Sequence, residues 1–563
     1  MHFQRRREEL MKSKNLKVSI TAVAVASLIS GLALVGTATA ATETCTTGSV
    51  AGITVTTNAK FKVENVETCD GKLANGAAYR TMRPANFGGT MFYYVHGFRP
   101  SFPYPGYTPP TGVEEVSPYS ANTKSDITAQ MLKAGYGIAT WDRVSANGMH
   151  GWNVDDSVAM LKELVLKTDA KYTDIKKNVP YGSSGGGPII EKFVENNPSL
   201  ANAMGTMAGL TAVGDSLQSA CDLFYILSVF ADPTIKGCAA FGVSKGVAGH
   251  MAALGELSKA GALLTAWSKN LGSPELEYPA PLVGSGIPQR SALLLAGLLV
   301  GLPTKSAHMD GISTSAVVPE QSINATIAVL ENTLEALATG TLAGQAVGEL
   351  TGPGFYDNTK TDYSALLSDE DAGRFNLGLS GDNAIAAMLG VLKASPRVKG
   401  DPAAVAKLAV QDKVTYKTPV PAILLSNEAD RLVFVGNTVQ YVDRRTAIYE
   451  ADLAKYEAQL ATGNVTMKRP TLGAVALYAL TPETYTKFTS TGLPDLTGPK
   501  AVSGIDHQSF TQEQMFTWVR LLAIAAKNGQ IPSAGTIARY SANTPYLNTD
   551  PDFRPAELKH NEW

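Results

Sequence analysis

A run of five residues, Gly182-Ser183-Ser184-Gly185-Gly186, restricts the fold of this chain more than any other segment. It matches the G-x-S-x-G pattern, in which a serine occupies a strained turn between a strand and a helix. The residues two positions before and after that serine pack so closely that only glycine avoids a clash. Ser184 has glycine at both positions, whereas Ser183 has Tyr181 on one side. The pattern selects Ser184 as a candidate nucleophile; a plain glycine turn is the alternative for the motif taken alone.

A serine hydroxyl needs a base, and the base needs a carboxylate that orients it, so both are expected elsewhere in the chain. Residues 420–425 form an apolar run that predicts a buried strand, and a polar turn with Glu428 and Asp430 follows. A carboxylate at the carboxyl end of such a strand is well placed for chemistry. Asp430 is the candidate acid, Glu428 is its competitor, and a turn or capping aspartate is the structural alternative.

The histidines are few enough to compare one by one, and only His507 and His560 follow Asp430 in the chain. His560 lies in a polar segment almost at the chain end. His507 stands in Gly-Ile-Asp-His-Gln-Ser-Phe, directly before a predicted helix. His507 is therefore the better candidate base, and an ordinary loop or core histidine is the alternative.

The elbow, the segment Pro-Ala-Ile-Leu-Leu-Ser-Asn-Glu-Ala-Asp and the histidine loop together resemble the α/β-hydrolase superfamily, in the order serine, acid, histidine. The resemblance covers roughly residues 53–210 and 418–528. It implies an oxyanion hole made by two backbone amides, those of Gly185 and of Phe98 in His96-Gly97-Phe98. A tight loop after a strand is the alternative for His96-Gly97. Asp430 and His507 are 77 positions apart, longer than is usual in the family, which an insertion explains.

Runs of β-branched and aromatic residues predict the strands of the core, and amphipathic runs predict the helices between them. Such strands are predicted at 53–66, 78–82, 90–95, 135–141, within 172–181, at 203–210 and at 420–425. Helices are predicted around 154–165, directly after the elbow and at 510–528. This alternation predicts an α/β fold with a mostly parallel central sheet flanked by helices.

Between about residues 211 and 418 the chain becomes rich in Ala, Leu and Gly, with helical runs at 251–267, 291–302 and 323–337. We interpret this region as a large helical cap inserted into the hydrolase core. The predicted organisation is a signal peptide at 1–40, core at 41–210, the cap at 211–418, core at 419–540 with an insertion at about 443–497, and a tail at 541–563.

The N-terminus has the pattern of a targeting segment. Three lysines precede an apolar run at 18–35, and Ala38-Thr39-Ala40 supplies a small-residue cleavage site. This predicts a signal peptide, a mature chain that begins at Ala41, and export to the periplasm or beyond; an uncleaved membrane anchor is the alternative. After cleavage we expect no stable membrane insertion. The net charge of -2 and the 17% of charged residues give no basic excess that would indicate a nucleic-acid partner.

Export implies an oxidising compartment, in which cysteines pair. The four cysteines fall into two sequence-local pairs, Cys45 with Cys69 and Cys221 with Cys238, and we predict two disulfides on that basis. A metal site is the weaker alternative, because no C-x-x-C or H-x-x-x-H spacing accompanies these residues.

Taken together, the sequence predicts a secreted serine hydrolase that cleaves carboxylic esters through Ser184, Asp430 and His507 and requires no metal or organic cofactor. The expected partner is a small-molecule, lipid or polymeric ester, and the apolar cap favours a hydrophobic acyl or aryl group. A peptidase or amidase with the same triad is one alternative. A secreted binding protein on an inactive hydrolase scaffold is the other.

Overall fold

We analysed a computed structural model, which describes residues 43–53, 59–104, 107–120, 124–145, 148–268, 282, 285–317 and 320–561. The predicted signal peptide and its cleavage site lie outside these ranges. No helix within them is both long enough and apolar enough to cross a membrane.

Twelve strands are present in the described residues, ten of them in one sheet. Their bounds are β1 Thr44–Ile53, β2 Lys60–Lys72, β3 Ala78–Pro84, β4 Thr90–Val95, β5 Tyr119–Ser120, β6 Ser125–Asp126, β7 Gly137–Trp141, β8 Lys177–Ser183, β9 Met204–Met207, β10 Ala422–Asn427, β11 Ala474–Ala479 and β12 Leu547–Asn548.

Fourteen α-helices accompany these strands in the described part of the chain. They are α1 Thr128–Lys133, α2 Val154–Lys171, α3 Gly187–Asn196, α4 Val213–Phe230, α5 Gly246–Ser268, α6 Gln289–Val300, α7 Gln321–Thr351, α8 Tyr363–Leu366, α9 Asp369–Arg374, α10 Asp382–Ala394, α11 Pro402–Leu408, α12 Gly436–Ala461, α13 Gln512–Asn528 and α14 Ala534–Ser541.

The large sheet has the order β1-β2-β3-β7-β4-β8-β9-β10-β11-β12. Its six central strands, from β7 to β11 in that order, are mutually parallel, and antiparallel strands flank them on both sides. Helices pack on both faces, so the predicted α/β fold with a mostly parallel central sheet flanked by helices is confirmed. Because the central strands are parallel, their carboxyl ends meet at one edge of the sheet, where β4, β8 and β10 deliver the candidate site residues.

Strand β4 shows how the sequence divides the core between the two faces of the sheet. Successive side chains of a strand point to opposite faces. Met91, Tyr93 and Val95 accordingly join one buried cluster, whereas Phe92 and Tyr94 join a second one with Trp518 of α13. A strand that is buried on both faces has a continuous apolar sequence, which is why this strand can be predicted from the sequence.

Two predicted elements need comment. Of the predicted strand at 53–66, Ile53 ends β1 and residues 60–66 belong to β2, which pairs antiparallel with β1, and residues 54–58 lie outside the described ranges. The region at about 443–497, predicted to be an insertion, contains β11, which pairs in parallel with β10 over its full length. The helix α12 is therefore the crossover between two sheet strands. The apolar run of β11 is short, and the polar residues before it hide the strand in the sequence.

Between β9 and β10 the described chain contains the eight helices α4 to α11 and adds no strand to the sheet. Helix α6 is buried from Ser291 to Val300, at the centre of this helical region. The polar C-terminal segment packs against this helical region, where His560 Nε2 lies 2.8 Å from the carboxylate of Asp222 in α4. The tail is thus part of the packed structure.

Candidate active site

The turn after β8 places Ser184 in the left-handed region, with a φ of 53°. The glycines around it explain how this strained turn is tolerated. A Cβ on Gly182 would lie 2.1 Å from the carbonyl oxygen of Val95, and a Cβ on Gly186 would lie 2.5 Å from the same oxygen. Both positions therefore require glycine, as the sequence pattern predicts.

The two neighbouring serines have different surroundings. Ser183 is completely buried, and its hydroxyl lies 3.1 Å from the Tyr94 hydroxyl. Ser184 lines a cavity, and it begins the 3-10 turn that leads into α3. Of the two, only Ser184 lies where a bound molecule can reach it.

His507 and Asp430 meet although they are far apart in the sequence. His507 Nδ1 lies 2.9 Å from Asp430 Oδ2. The other carboxylate oxygen accepts hydrogen bonds from the amides of Leu432 at 2.8 Å and Val433 at 2.9 Å. A carboxylate held in this way fixes the proton of the imidazole on Nδ1 and leaves the Nε2 lone pair free to act as a base. His507 and Ser184 line the same cavity.

The competing residues lie elsewhere. Glu428 pairs with Lys305 and accepts hydrogen bonds from the backbone and hydroxyl of Thr481, both at 3.0 Å. His560 lies against Asp222 in the helical region. Neither of them is a partner of His507, so the geometry favours Asp430 and His507 over both alternatives.

The two residues that carry the predicted oxyanion amides, Gly185 and Phe98, pack against each other. A Cβ on Gly185 would lie 3.0 Å from the amide nitrogen of Phe98. The Gly97 carbonyl accepts hydrogen bonds from His96 Nδ1 at 2.8 Å and from Arg143 Nη1 at 2.9 Å. Because N–H and C=O point in opposite directions in a trans peptide, fixing this carbonyl turns the Phe98 amide the other way.

Two buried groups behind this loop keep it in place. Burial, together with the nearby Arg99 and Arg143, holds the pKa of His96 well below its usual range, so the ring is neutral. Its Nε2 accepts a hydrogen bond from the Arg143 amide at 3.3 Å. Burial lowers the pKa of Arg143 to about 9, which leaves the guanidinium charged at neutral pH. His96 thus supports the loop rather than serving as a base.

The histidine loop is held by polar contacts. Asp506 and Gln508, on either side of His507, have φ values of 57° and 60°, which residues other than glycine rarely adopt. The buried amide of Asn427 donates to the carbonyls of Ile505 at 3.2 Å and Asp506 at 3.0 Å. Asn427 ends β10, so the strand that leads to the acid also holds the backbone before the histidine.

Arg431, the residue after the candidate acid, links three parts of the molecule. Its Nη2 lies 3.1 Å from Asp506 and also pairs with Glu335 of α7. Lys500 Nζ lies 3.3 Å from the same Asp506 carboxylate. The acid turn, the histidine loop and a helix of the region between β9 and β10 are thereby joined by one group of charges.

The cavity at Ser184 has a volume of about 300 Å³. Its floor includes Gly97, Phe98, Ser184 and His507, from the core. Much of the wall comes from α4 and α7 and from the turn after Asp430, and it is mostly apolar. Members of that wall are Leu217, Leu223, Val300, Ala336, Leu342, Leu432, Val433 and Phe434.

Sequence reasoning missed Asn427, Arg431 and Gln508 and the supporting role of Arg143. Arg143 carries the clearest signal, since it is a charged residue two positions after the apolar strand β7. Asn427 ends an apolar strand in the same way. The contacts of Arg431 depend on elements far away in the chain, and no local pattern predicts them. Gln508 contacts its neighbour His507, but only the structure shows that it lines the cavity with Ser184.

The cysteines are paired as the sequence predicts, Cys45 with Cys69 and Cys221 with Cys238. Within the described ranges, Glu43, Cys45 and Cys69 are the only group of potential metal ligands close enough to share an ion. The two sulfurs are bonded to each other, so this group offers no thiolate.

No family model matches the chain, and no curated protein matches it. Among solved structures, similar chains include feruloyl esterase B from Aspergillus oryzae, with 11% identity, a TM-score of 0.34 and 88% of both chains covered. An esterase from the same organism has 12% identity, a TM-score of 0.30 and 78% coverage of both chains. The rice cell wall degrading esterase LipA from Xanthomonas oryzae has 10% identity and a TM-score of 0.29, over 74% of this chain and 83% of that one. These TM-scores are too low to carry an argument about activity.

Proposed function

We propose that this protein is a secreted serine hydrolase that cleaves carboxylic esters. The observation that carries the proposal is the meeting of three elements in one cavity. Ser184 has a left-handed backbone conformation, His507 lines the same cavity with its Nδ1 2.9 Å from the buried Asp430, and the Phe98 amide lies beside Gly185. A nucleophile, an oriented base and two fixed donors are the groups that acyl transfer through a serine requires.

In this mechanism His507 Nε2 takes the proton from Ser184 as the hydroxyl oxygen attacks the ester carbonyl. The amides of Phe98 and Gly185 donate hydrogen bonds to the oxyanion that forms. Asp430 stabilises the imidazolium through Nδ1. His507 then returns the proton to the leaving alcohol, the acyl group stays on Ser184, and water releases it by the same steps.

The substrate is expected to carry a hydrophobic acyl or aryl group, because the cavity wall is mostly apolar. Much of that wall comes from the region at 211–418, which we propose acts as a cap. Leu217 of α4 and Leu342 of α7 are two of its contributions. Insertion between the nucleophile and the acid brings the cap over the carboxyl ends of the strands.

The proposal is tested by labelling with a fluorophosphonate and by ester hydrolysis. Wild-type protein should be labelled on Ser184, and Ser184→Ala should lose both labelling and turnover while remaining folded. Ser183→Ala is the matched control and should keep turnover, because its side chain is buried against Tyr94. A protein that labels on neither serine would be a binding protein on this fold. Equal turnover of an ester and its matched amide would make it an amidase.

We infer export from the predicted signal peptide, and the two disulfides support this inference. Mass mapping of the exported protein without reduction should find Cys45 linked to Cys69 and Cys221 linked to Cys238, and Ala41 at the N-terminus. Free thiols at all four positions, or an intact N-terminus, would contradict it.

A further inference from the structure

Gln508 is a polar residue beside the candidate nucleophile that the mechanism above does not use. Its φ of 60° is unusual for a residue that is not glycine, and such strain is retained mostly at functional sites. The side chain lines the cavity with Ser184 and His507. A Cβ on Gly97 would lie 3.4 Å from Ser184 Oγ and 3.7 Å from Gln508 Nε2, so these two groups flank the same glycine.

The amide of Gln508 has a specific relation to the base. Gln508 Nε2 lies 3.4 Å from His507 Nε2. In the described part of the chain, this amide rather than the Ser184 hydroxyl is within hydrogen-bond distance of that ring nitrogen. With Nδ1–H directed to Asp430, His507 Nε2 carries a lone pair. The amide N–H therefore faces an acceptor in the free enzyme.

Proton transfer reverses this relation. Once His507 has taken the proton from Ser184, Nε2 carries a hydrogen and has no lone pair left. Two donors then face each other, and the amide must turn to another acceptor. The leaving-group oxygen can be that acceptor, because it must lie within hydrogen-bond reach of His507 Nε2 to receive the proton.

We propose that the Gln508 amide binds the leaving-group oxygen of the substrate and thereby helps to select the alcohol portion of the ester; this inference rests on the proposed function. The bond between the carbonyl carbon and the leaving oxygen breaks as the proton on His507 Nε2 moves to that oxygen. Gln508 donates a hydrogen bond to the oxygen and transfers no proton. The charge that builds up there before protonation is complete is stabilised.

This role predicts a dependence on the leaving group. A 4-nitrophenolate departs without protonation, so a donor at the leaving oxygen contributes little to its expulsion. An alkyl or glyceryl alkoxide needs both the proton and the hydrogen bond. Gln508 should therefore matter for esters of ordinary alcohols and hardly matter for activated aryl esters.

The experiment compares two esters that share one acyl group, an ethyl ester and a 4-nitrophenyl ester, in wild-type enzyme and in Gln508→Met. The methionine keeps the length of the side chain but has no donor. We expect kcat/KM for the ethyl ester to fall about 10-fold to 100-fold, and kcat/KM for the 4-nitrophenyl ester to change less than about threefold. Because kcat/KM reports the steps up to acyl transfer, the shared deacylation step does not enter.

Two further variants separate this role from a structural one. Gln508→Gly relieves the positive φ and removes the amide, so it should reproduce the selective loss if the amide acts on the leaving group. Gln130→Met, in α1, removes an amide that donates to the Ile53 carbonyl away from the cavity, and it should alter neither ester.

The outcomes are distinct. Equal losses on both esters in Gln508→Met would overturn the proposal, since they would indicate only a disturbed histidine loop. Full activity on both would also overturn it. A wild-type enzyme that hydrolyses neither ester and is not labelled by a fluorophosphonate would instead refute the proposed function.

Discussion

Ser184 and His507 reach the same cavity from two regions that are built differently. The elbow is held by close steric contact, with Gly182 and Gly186 pressed against the carbonyl of Val95 on the neighbouring strand. The histidine loop is held by polar groups, with Asn427 on two of its carbonyls and Arg431 on the Asp506 carboxylate. One half of the site depends on an absence of side chains, and the other depends on the presence of particular ones.

This difference has a consequence for how the two halves respond to change. A steric contact in a packed interior does not relax, so an added methyl group there displaces the backbone. Loss of a donor from the histidine loop instead leaves buried carbonyls without a hydrogen-bond partner, which costs stability as well. Substitutions in either half should therefore lower stability and activity together, through a displaced backbone at the elbow and through unpaired carbonyls at the histidine loop.

The largest effect is expected from the histidine side. Asp430→Asn and His507→Ala should each lower turnover by a factor of about 10³ or more, because members of one catalytic unit are removed. Glu428→Gln is the matched control, and its turnover should stay within a few-fold of wild type, since Glu428 contacts Lys305 and Thr481. Steady-state kinetics on one ester would measure this. A crippled Glu428→Gln with a nearly normal Asp430→Asn would reverse the assignment.

The elbow is tested by adding one methyl group. Gly186→Ala places a Cβ 2.5 Å from the Val95 carbonyl oxygen and should cost about 1–3 kcal/mol of stability or more, with a loss of activity of about 100-fold. Gly214→Ala in α4 is the control, because a Cβ there meets nothing within 4 Å. Urea unfolding and turnover would be compared. An active, stable Gly186→Ala would contradict the steric account of the elbow.

The polar clamp on the histidine loop is tested at Asn427. Asn427→Ala leaves the carbonyls of Ile505 and Asp506 without their donor and should lower kcat by about 10-fold to 100-fold, with a stability loss of about 1–3 kcal/mol. Asn332→Ala is a close control, since the buried Asn332 amide also donates to two carbonyls, of Pro303 at 2.9 Å and Lys305 at 2.7 Å. That variant should lose similar stability and keep its kcat. Equal kcat losses in both would assign Asn427 a purely structural role.

The smallest effect concerns the cavity wall supplied by the helical region between β9 and β10. Leu342→Gln should change the relative kcat/KM among acyl chain lengths by about 10-fold and leave fluorophosphonate labelling intact, because the residue lines the cavity without touching the chemistry. Leu350→Gln, on the same helix but 51% exposed, is the control. An unchanged chain-length profile in Leu342→Gln would leave substrate choice to the loops of the core.

The sequence predicts some elements of the fold and the site accurately and misses others. Strand β4 has the bounds that the sequence predicts, because its apolar run is a local pattern. The frame of the elbow follows from the two glycines beside Ser184, although the atoms that require them belong to Val95 on the neighbouring strand. Strand β11 was mistaken for part of an insertion. Its six residues form a strand by pairing with β10, and the local sequence pattern does not predict that pairing.

The sequence by itself determined which serine occupies the turn. The positions beside Val95 have no room for a Cβ, and only one of the two serines has glycine at both of them. It also restricted the base to two histidines by their scarcity. Only the tertiary structure decided that His507 meets Asp430, that Asn427 and Arg431 hold the loop between them, and that the Gln508 amide stands at Nε2. A position that has no room for a Cβ requires glycine and so leaves a pattern in the sequence even when its neighbour, here Val95, is distant in the chain. Hydrogen bonds and ion pairs between distant segments leave no such pattern, and they exist only once the sheet has brought those segments together.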